Sequence, residues 1–312
     1  MIMIPKRFDT MFDLNSYLAS KQKQINLYLD NLLKKYSDSA LGSRIHDAMK
    51  YTLAGNGKRM RPILCIAAAE AVKGGNTQDV ILAACAIEMI HTYSLIHDDL
   101  PAMDNDNIRR GKPTCHIAFD EATAILTGDA LLTFAFQTLS LNKAETGKTV
   151  DSDRLLKVIN RIAFAAGNGG MVEGQMMDVS SENRNLTINE LEKMHSLKTG
   201  ALISASVYSG AVLGGGTDGQ IEALEIFAKN IGLAFQVKDD ILNIEGEPEI
   251  MGKAAGTDII RNKNTYPLVV GLKESKKIAQ NLVNSALKTL DCFDSGADPL
   301  RHIAGYIIER KK

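Results

Sequence analysis

The sequence predicts a single large all-α domain. The chain has 312 residues but only seven prolines, and long stretches of Ala, Leu, Ile, Lys and Glu favour helices. Alternating patterns of β-branched residues, which are typical of half-buried strands, are scarce. No linker rich in Pro, Ser or Gly divides the chain, and the hydrophobic share of 45% is enough for one extended core. We therefore predict one domain that spans residues 1–312.

The charge balance and the cysteines exclude several classes of function. A formal net charge of −1 leaves no electrostatic footprint for nucleic acid and no bulk attraction to anionic membranes. The four cysteines show no CxxC spacing, which is typical of buried thiols in a reducing cytosol. The apolar part of the N-terminal segment is too short for a signal peptide. We expect a cytoplasmic protein without nucleic-acid partners or stable membrane insertion.

Two elements open the chain. Asp13–Lys35 predicts an amphipathic helix with its charges on one face. The stretch Gly55–Pro62, which reads GNGKRMRP, then places Lys58, Arg59 and Arg61 at the start of the next helix. Proline suits the first turn of a helix, where free N–H groups and the positive end of the dipole attract anions. Arginine adds bidentate binding of phosphate oxygens, so this is either a phosphate site or a solvated basic turn.

The most informative stretch ends an apolar helix in a cluster of carboxylates. Val80–Ile96 contains neither Gly nor Pro, so the helix should run on until Pro101 disfavours helical geometry. Asp98 and Asp99 then lie in the last turn, where the negative end of the helix dipole repels carboxylates. Asp104 returns from the following loop and adds to the repulsion. A divalent cation that prefers hard oxygen ligands, such as Mg²⁺, would relieve it; a solvated acidic helix end is the alternative.

Further helical segments follow. Ile117–Leu141 predicts one long helix, and the four glycines of Phe164–Asp178 predict a kinked one. Gly200–Gly216 carries no charged residue and ends in three glycines, which indicates a closely packed core helix rather than a membrane span. Lys198 and Thr199 stand at the start of this helix. A lysine beside so apolar a run requires an anionic partner.

A second acidic pair lies in the segment Ile231–Gly246, which reads IGLAFQVKDDILNIEG. Asp239 and Asp240 interrupt the apolar pattern of an amphipathic helix, and Asn243 shares a face with Asp239. Isolated carboxylates in such a helix usually have a partner or a metal, although salt bridges to lysines such as Lys238 would also serve. We expect the two acidic clusters to meet across an apolar cavity and to bind metal together.

The C-terminal part adds basic groups. Met251–Pro267 combines glycines with three cations, Lys253, Arg261 and Lys263. This composition suits a flap over a polyanion, with a solvated loop as the alternative. Ser275–Lys312 is predicted to be helical and ends in ERKK, and such a basic C-terminus could help to close a site.

Two motifs resemble those of a known family. DDLPAMD, which begins at Asp98, and FQVKDDILN, which contains Asp239, are similar to the aspartate-rich motifs of the short-chain trans-prenyl diphosphate synthases. The similarity covers nearly the whole chain and is greatest to the bacterial farnesyl diphosphate synthase branch. It implies the isoprenoid synthase fold of about ten or more helices around a central apolar cavity, a homodimer, and about three Mg²⁺ per active site. One position departs, because Asn243 stands where the family usually has an aspartate and carries one charge less.

The resemblance also implies roles for single side chains. It assigns isopentenyl diphosphate to Lys58, Arg61, His91 and Arg110. It assigns the allylic diphosphate to Arg109, Lys198 and Lys253, and we add Lys263 of the same flap. The implied Mg²⁺ ligands are Asp98, Asp99, Asp104 and Asp239, and the catalytic set is completed by Thr199, Gln236 and Asp240. Gln175 and Asp178 are expected near the site or in structural roles. The two adjacent arginines would also neutralise Asp104 and Asp106.

These residues suit the ionisation of an allylic diphosphate. The sequence contains no nucleophile–base pair and no dinucleotide fingerprint, but it has carboxylate clusters, cations and an apolar interior. The predicted reaction is the Mg²⁺-dependent condensation of isopentenyl diphosphate with dimethylallyl and geranyl diphosphate to farnesyl diphosphate. Tyr93 and Ser94 lie about one turn before Asp98. Tyr93 should form the cavity floor and stop growth at about fifteen carbons, as the farnesyl branch implies.

Three other functions stay open. A geranylgeranyl diphosphate synthase would use the same chemistry with a deeper cavity. A class I terpene cyclase would also ionise a diphosphate, but it would not need the GNGKRMRP turn and Arg110 for a second one. A non-catalytic prenyltransferase subunit would carry decayed aspartates, whereas here Asn243 is the one departure.

Overall fold

A computed structural model describes residues 12–37, 43–54, 57–73, 78–141, 151–182, 184–245 and 264–310. The secondary structure of these residues is helical, apart from one short hairpin. The first helices are α1 Leu14–Ser37, α2 Arg44–Leu53, α3 Met60–Ala71, α4 Gln78–Asp98, α5 Cys115–Ala118, α6 Glu121–Leu139 and α7 Ser152–Ala166. The remaining helices are α8 Met171–Ser180, α9 Ile188–His195, α10 Ala201–Leu213, α11 Asp218–Glu245, α12 Tyr266–Val270, α13 Leu272–Thr289 and α14 Asp298–Glu309. The predicted all-α class is confirmed, while the extent of the domain over residues 1–312 stays a prediction.

Two helices without a polar face form the centre of the molecule. In α4 every side chain from residue 80 to residue 90 is buried. The uncharged α10 packs against α3, α4, α7 and α11. It approaches α3 so closely that a Cβ atom on Gly210 would collide with the carbonyl oxygen of Cys65. The prediction that Gly200–Gly216 forms a buried core helix is therefore confirmed, although its last residues form a turn.

Among the residues that the structure describes, two helices, α4 and α6, are long and apolar enough to cross a membrane by length and composition alone. In α4, 78% of the most apolar window is buried inside the fold, and in α6 the buried share is 50%. The two helices pack against each other, and α4 also packs against α3 and α10. We therefore interpret α4 as a core helix, as expected for an apolar helix surrounded by other helices.

The ends of α1 and α4 agree with the sequence. The carboxylate of Asp13 accepts a hydrogen bond from the N–H of Ser16 at 3.1 Å, at the start of the predicted amphipathic α1. At the end of α4, the N–H of Asp99 still donates to the carbonyl oxygen of Leu95 at 3.1 Å. Asp98 and Asp99 therefore lie in the last turn, as predicted. The predicted amphipathic helix around the second acidic pair is also confirmed, since the pair lies within the 28 residues of α11.

Two predictions of a continuous helix are wrong. Ile117–Leu141 contains the end of α5 and all of α6, because the carboxylate of Asp120 caps a new helix by accepting a backbone hydrogen bond at 2.7 Å. Phe164–Asp178 contains the end of α7 and most of α8, and a glycine turn rather than a kink separates them. Gly170 caps α8, and a Cβ atom there would collide with the carbonyl oxygen of Ala165. Turn residues thus end an apolar pattern that otherwise continues.

The structure adds a hairpin that the all-helical prediction omits. Strand β1, Ile108–Arg109, pairs antiparallel with strand β2, Lys112–Pro113. The residues between them, Arg110 and Gly111, have φ angles of 53° and 76°, as a type I′ turn requires. Strands of two residues are too short for an alternating pattern to be recognised in a sequence. The hairpin follows the first acidic loop and determines where Arg110 and its neighbour on β1 are placed.

The predicted basic flap, Met251–Pro267, lies almost entirely outside the described residues, and so do the predictions for Lys253, Arg261 and Lys263. The described chain continues at residue 264, and Tyr266 opens α12, which packs against α9, α11 and α13. Helices α13 and α14 then form the predicted helical C-terminal segment.

Candidate active site

A cavity of about 370 Å³ lies between α4, α8 and the π-helical turn Ser196–Gly200. Part of its wall is polar and contains Arg61, His91, Asp98, Lys198 and Thr199. Another part is apolar and contains Tyr93, Met171, Val172, Met176 and Val179. The cavity therefore offers one surface to a charged group and another to a hydrocarbon chain.

Asp98 brings the first acidic motif to this cavity. The loop that follows folds back onto the helix end, since the N–H of Asp104 donates to the carbonyl oxygen of Asp98 at 2.8 Å. Burial raises the pKa of Asp98 to about 6, with Lys198 as the largest opposing charge and Asp104 as a further cause of the rise. Because Asp98 is buried and its pKa stays raised although Lys198 lowers it, a bound cation would stabilise its ionised form.

Asp99, the second residue of this motif, holds the hairpin. Its side chain is 4% exposed, and both of its oxygens accept hydrogen bonds from Nε of Arg109 at 2.7 Å. Nη2 of Arg109 also lies 3.7 Å from Oδ2 of Asp106. Arg109 therefore neutralises Asp99 and lies near Asp106, one of the two carboxylates for which the sequence left a structural role of the arginines open beside diphosphate binding. The role of Asp99 as a metal ligand stays a prediction.

The second acidic motif has different partners at its two positions. Oδ1 of Asp239 forms an ion pair at 2.7 Å with Nη2 of Arg310, the last described residue of the chain. Although the side chain of Asp239 is 41% exposed, desolvation by the surrounding protein raises its pKa, and the charge of Arg310 and its hydrogen bond lower the pKa in turn. Asp240 is buried and accepts hydrogen bonds from Nε2 of Gln236 at 3.1 Å and from the N–H of Tyr266 at 2.9 Å. Asp240 therefore ties α11 to the start of α12.

A short chain of hydrogen bonds joins the second motif to the cavity. Thr199 lines the cavity and donates through Oγ1 to Oε1 of Gln236 at 3.0 Å. Gln236 in turn donates to Asp240. Asp98 lines the same cavity from α4. The second motif is thus connected to this cavity through Thr199, whereas Asp239 and Asp240 are not among its lining residues, and the meeting of the two motifs across the cavity stays a prediction.

Lys198 has an anionic partner within the protein, because its Nζ lies 2.6 Å from Oδ2 of Asp178 on α8. The contact depends on a close approach of α8 to the π-helical turn, where a Cβ atom on Gly174 would collide with the backbone nitrogen of Lys198. Lys198 also lowers the pKa of Asp98. It therefore lies within electrostatic range of the first acidic motif, on a type of turn that is frequent at functional sites.

The basic turn reaches the cavity from the start of α3. Nη1 of Arg61 lies 3.3 Å from Nε2 of His91, and both residues line the cavity. Since a guanidinium group only donates, this contact makes Nε2 of His91 an acceptor. Burial lowers the pKa of His91 well below its ordinary 6.5, and the charges of Arg61 and Arg110 lower it further. Lys58 is exposed on the turn and lies in electrostatic range of Asp239.

Sequence reasoning missed the carboxylate beneath this turn. Glu88 of α4 is buried and pairs with Nη1 of Arg59 at 2.6 Å. The signal is present in the sequence, because Glu88 is a lone charge in an apolar stretch, the same pattern that singles out Asp239. Arg310 is visible in the sequence only as part of the basic ERKK ending.

The donor chemistry of the cavity fits Mg²⁺. The predicted ligands are carboxylates, which this ion prefers. Burial raises the pKa of Asp98, so a nearby cation would stabilise its ionised form. Among the residues that the structure describes, no group of three or more His, Cys, Asp or Glu side chains is already arranged around one metal position. Asp99 and Asp239 hold arginines, so their use as ligands requires these ion pairs to exchange. Asp98 and Asp104 lie within electrostatic range of each other at the end of α4, and the roles of Asp98, Asp99, Asp104 and Asp239 as metal ligands stay predictions.

Known proteins with similar sequences match nearly the whole chain. The family model for polyprenyl synthetase matches residues 43–293. Farnesyl diphosphate synthase of Micrococcus luteus is 45% identical over 299 residues, which are 96% of this chain and 100% of that protein. The heterodimeric geranylgeranyl pyrophosphate synthase large subunit 1 of Arabidopsis thaliana is 46% identical over 304 residues, which are 96% of this chain and 80% of that protein.

The fold is similar to solved structures of the same kind. An FPP/GFPP synthase from Zymomonas mobilis matches with a TM-score of 0.81 and 36% identity, and the match covers 95% of this chain and 98% of that one. The implied isoprenoid synthase fold is thereby confirmed. The chain belongs to the polyprenyl synthetase family and is a short-chain prenyl diphosphate synthase, a prenyltransferase that acts on isoprenyl diphosphates.

Proposed function

We propose that the protein is a farnesyl diphosphate synthase, which condenses isopentenyl diphosphate with dimethylallyl and then with geranyl diphosphate in the presence of Mg²⁺. One observation carries the proposal: the cavity joins a polar wall with Asp98 and Lys198 to an apolar wall with Tyr93. A diphosphate ester with a growing hydrocarbon chain needs both surfaces at once. The Micrococcus luteus relative is named for this product.

The polar wall would promote ionisation of the allylic diphosphate. The proposed Mg²⁺ ligands are Asp98, Asp104 and Asp239. When bound, Mg²⁺ supplies Lewis-acid stabilisation of the departing diphosphate. Arg109 and Lys198 lie in electrostatic range of Asp98 and would share the charge that develops on the leaving group, once they exchange their partners Asp99 and Asp178 for diphosphate oxygens. Lys253 and Lys263, which lie outside the described residues, would add to this charge from the flap.

The basic turn would hold the second substrate. The proposed ligands of isopentenyl diphosphate are Lys58, Arg61, His91 and Arg110. Nε2 of His91 accepts from Arg61, so donation to a diphosphate requires a proton at that atom. Thr199 and Gln236 would orient the allylic group from the opposite wall, while the apolar wall excludes water from the carbocation. The released diphosphate is the proposed acceptor of the proton that the condensation product loses.

Tyr93 would stop the growth of the chain. Its side chain is 7% exposed, lines the cavity and packs edge-on against His97, with ring centroids 5.8 Å apart. Ser94 lines the cavity beside it. His97 is itself restrained, because its Nε2 lies 3.0 Å from the carbonyl oxygen of Ile125 in α6. A bulky ring supported from behind is a suitable floor for a product of about fifteen carbons.

Geranylgeranyl diphosphate synthesis is the second candidate. Two observations favour it: the geranylgeranyl relative is 46% identical, and Val172 and Met176 of the apolar wall are 51% and 53% exposed. A longer chain would pass along such an open wall more easily than through the Tyr93 ring. A non-catalytic subunit is the weaker candidate, because its aspartates would be lost and Asn243 is the one departure here.

We also propose that the protein is a cytoplasmic homodimer. The side chains of Ile125 and Leu126 on α6 are 45% and 51% exposed, and a second copy packed on this face would cover them. All four cysteines are free, which suits a reducing compartment. Sedimentation equilibrium should give about twice the chain mass of 33.9 kDa, and a monomer at micromolar concentration would contradict the dimer.

The function is tested by a product assay. Purified protein is incubated with isopentenyl diphosphate and either dimethylallyl or geranyl diphosphate, with Mg²⁺ or with EDTA, and the dephosphorylated products are separated by chromatography. We expect farnesol from both allylic substrates with Mg²⁺ and none with EDTA. Geranylgeraniol as the main product would replace the proposal by the second candidate. The absence of any product would contradict catalytic function and leave the subunit alternative.

A further inference from the structure

Arg59 and Glu88 form an ion pair that is buried beneath the basic turn. Nη1 of Arg59 lies 2.6 Å from Oε1 of Glu88, and the two side chains are 1% and 2% exposed. The preceding Lys58 is exposed, whereas Arg61 lines the cavity. Three basic residues of one turn thus have three different environments. The buried one cannot bind a substrate directly, so its role must lie in what it does to its neighbours.

Arg59 restrains the backbone of the turn. Its φ angle is 53°, a left-handed conformation that a large side chain adopts only where its surroundings enforce it. Three helices do so. Nε of Arg59 donates to Oδ1 of Asn26 in α1 at 2.9 Å, and Nη2 donates to the carbonyl oxygen of Leu53 in α2. Nη1 completes the set by pairing with Glu88 in α4.

The residue before the basic group is held from the same side. Nε2 of Gln22 in α1 donates to the carbonyl oxygen of Gly57 at 2.7 Å. A Cβ atom on Gly57 would lie 2.6 Å from Nη1 of Arg110 and 3.0 Å from Nη1 of Arg59. The hairpin arginine and the turn therefore meet at this glycine. A displacement of the turn would therefore also move the side chain of Arg110.

Glu88 also balances the charge of the remaining cations. Burial lowers the pKa of Arg61 and of Arg110, and in both cases the charge of Glu88 is the largest single influence that raises the pKa again. Arg59 acts in the opposite direction on Arg110. Without the carboxylate, guanidinium groups in a poorly solvated region would repel one another before any diphosphate arrives.

We propose that Glu88 and Arg59 are positioning residues for the second diphosphate. The pair holds the backbone of residues 57–61, and Glu88 keeps Arg61 and Arg110 close enough for one diphosphate to bridge them. The inference rests on the proposed function, in which this turn binds isopentenyl diphosphate. If the ion pair only stabilised the fold, its removal would lower the stability and change the KM values for both substrates to a similar extent. If the pair positions the basic turn, its removal changes the KM for isopentenyl diphosphate alone.

The first variant is Glu88→Gln, which keeps the shape of the side chain and removes its charge. We expect the KM for isopentenyl diphosphate to rise about tenfold or more, while the KM for geranyl diphosphate changes by less than about twofold. The matched control is Asp298→Asn in α14, which breaks a second buried ion pair, 2.6 Å long, with Arg301. This control should lower the Tm and leave both KM values unchanged.

A double variant keeps the inference testable where Glu88→Gln does not fold. Arg59→Met combined with Glu88→Met replaces both charges by apolar side chains of similar volume, a change that buried ion pairs often tolerate. We expect a folded protein with a lower Tm, because Asn26 and the carbonyl oxygen of Leu53 lose their hydrogen bonds to Arg59, together with the raised KM for isopentenyl diphosphate. A wild-type KM for isopentenyl diphosphate in the folded variants would overturn the inference. A wild-type protein that consumes no isopentenyl diphosphate would overturn the proposed function first, and the inference with it.

Discussion

Nη2 of Arg310 lies 2.7 Å from Oδ1 of Asp239, so the C-terminal end of the described chain contacts the second acidic motif. The same group donates to the carbonyl oxygen of Phe235 at 2.9 Å, and the guanidinium lies over the Phe235 ring, 3.9 Å from its centroid. The side chain of Arg310 is 4% exposed, whereas that of Asp239 is 41% exposed. A buried guanidinium group thus pairs with a carboxylate that we propose as a Mg²⁺ ligand.

The first prediction follows from this competition. Arg310→Gln should increase the affinity of the substrate-free protein for divalent cations about fivefold or more, because the ion no longer has to displace a guanidinium group. Electron paramagnetic resonance of a Mn²⁺ titration measures this affinity without substrates. Lys288→Gln, at an exposed lysine of α13, is the control with the same change of charge. Equal Mn²⁺ affinity in both variants would show that Arg310 does not compete.

The second prediction concerns the pH dependence of stability. Burial raises the pKa of Asp98 from 3.8 to about 6, so the folded protein holds this proton more tightly than the unfolded chain does. Stability therefore falls as the pH rises from about 4 to about 6, and the carboxylate costs about 3 kcal/mol at neutral pH. Asp98→Asn removes that cost. The variant should be more stable than the wild type at pH 7.5, and its advantage should shrink as the pH approaches about 4.

Urea denaturation in buffers with EDTA checks this expectation, because EDTA removes cations that would stabilise the ionised Asp98. Glu222→Gln, at an exposed position of α11, makes the same change from carboxylate to amide away from the cavity. Its free energy of unfolding should follow that of the wild type at every pH. A gap between Asp98→Asn and the wild type that does not depend on pH would argue against a raised pKa.

The third prediction concerns product length. Tyr93→Ala removes the ring that lines the cavity and packs against His97, so the hydrocarbon chain should extend further along α4. We expect a shift from farnesyl to longer products in the chromatographic assay. Tyr28→Ala in α1, a tyrosine outside the cavity lining, should keep the wild-type product. An unchanged product from Tyr93→Ala would mean that another residue forms the floor.

The sequence predicts the long helices well because their signals are local. In α1 and α11 an amphipathic pattern persists over many turns, and α4 and α10 are apolar over most of their length. The helix breaks at Asp120 and at Gly170 are harder to predict. Apolar residues recur on both sides of these positions, and the helices are separated by an N-cap in one case and by a close backbone approach in the other. Both contacts are formed with residues nearby in the chain, Thr123 and Ala165, so these signals are local but weaker than the apolar periodicity around them.

The residues of the candidate site also divide into those that the sequence predicts and those that it does not. The two acidic motifs and the basic turn can be recognised because charges in apolar helices are costly unless something compensates them. The compensating groups cannot be recognised so easily. Arg59 and Glu88 are 29 residues apart in the chain, and Arg310, which follows α14, contacts Asp239 in α11. Tertiary packing decides which charged side chains form a pair. The sequence therefore predicts that these residues have partners but does not identify the partners.

The last prediction tests the close packing of α10 on α3. A Cβ atom on Gly210 would collide with the carbonyl oxygen of Cys65 and lie 3.1 Å from Cβ of Ala68. Because a backbone atom is in the way, Gly210→Ala must push the two helices apart, and we expect a loss of about 3 kcal/mol in the free energy of unfolding. Gly219→Ala in α11 is the control, since no atom lies within 4 Å of its added Cβ and alanine favours the helix.

Urea denaturation of both glycine variants measures the difference directly. The Gly219→Ala variant should be as stable as the wild type or slightly more stable, because the methyl group meets open space. Gly210→Ala also displaces the helix that follows Lys198 and Thr199, so it should weaken catalysis more than the loss of stability alone explains. A Gly210→Ala variant with wild-type stability would mean that α10 and α3 lie further apart than this packing requires.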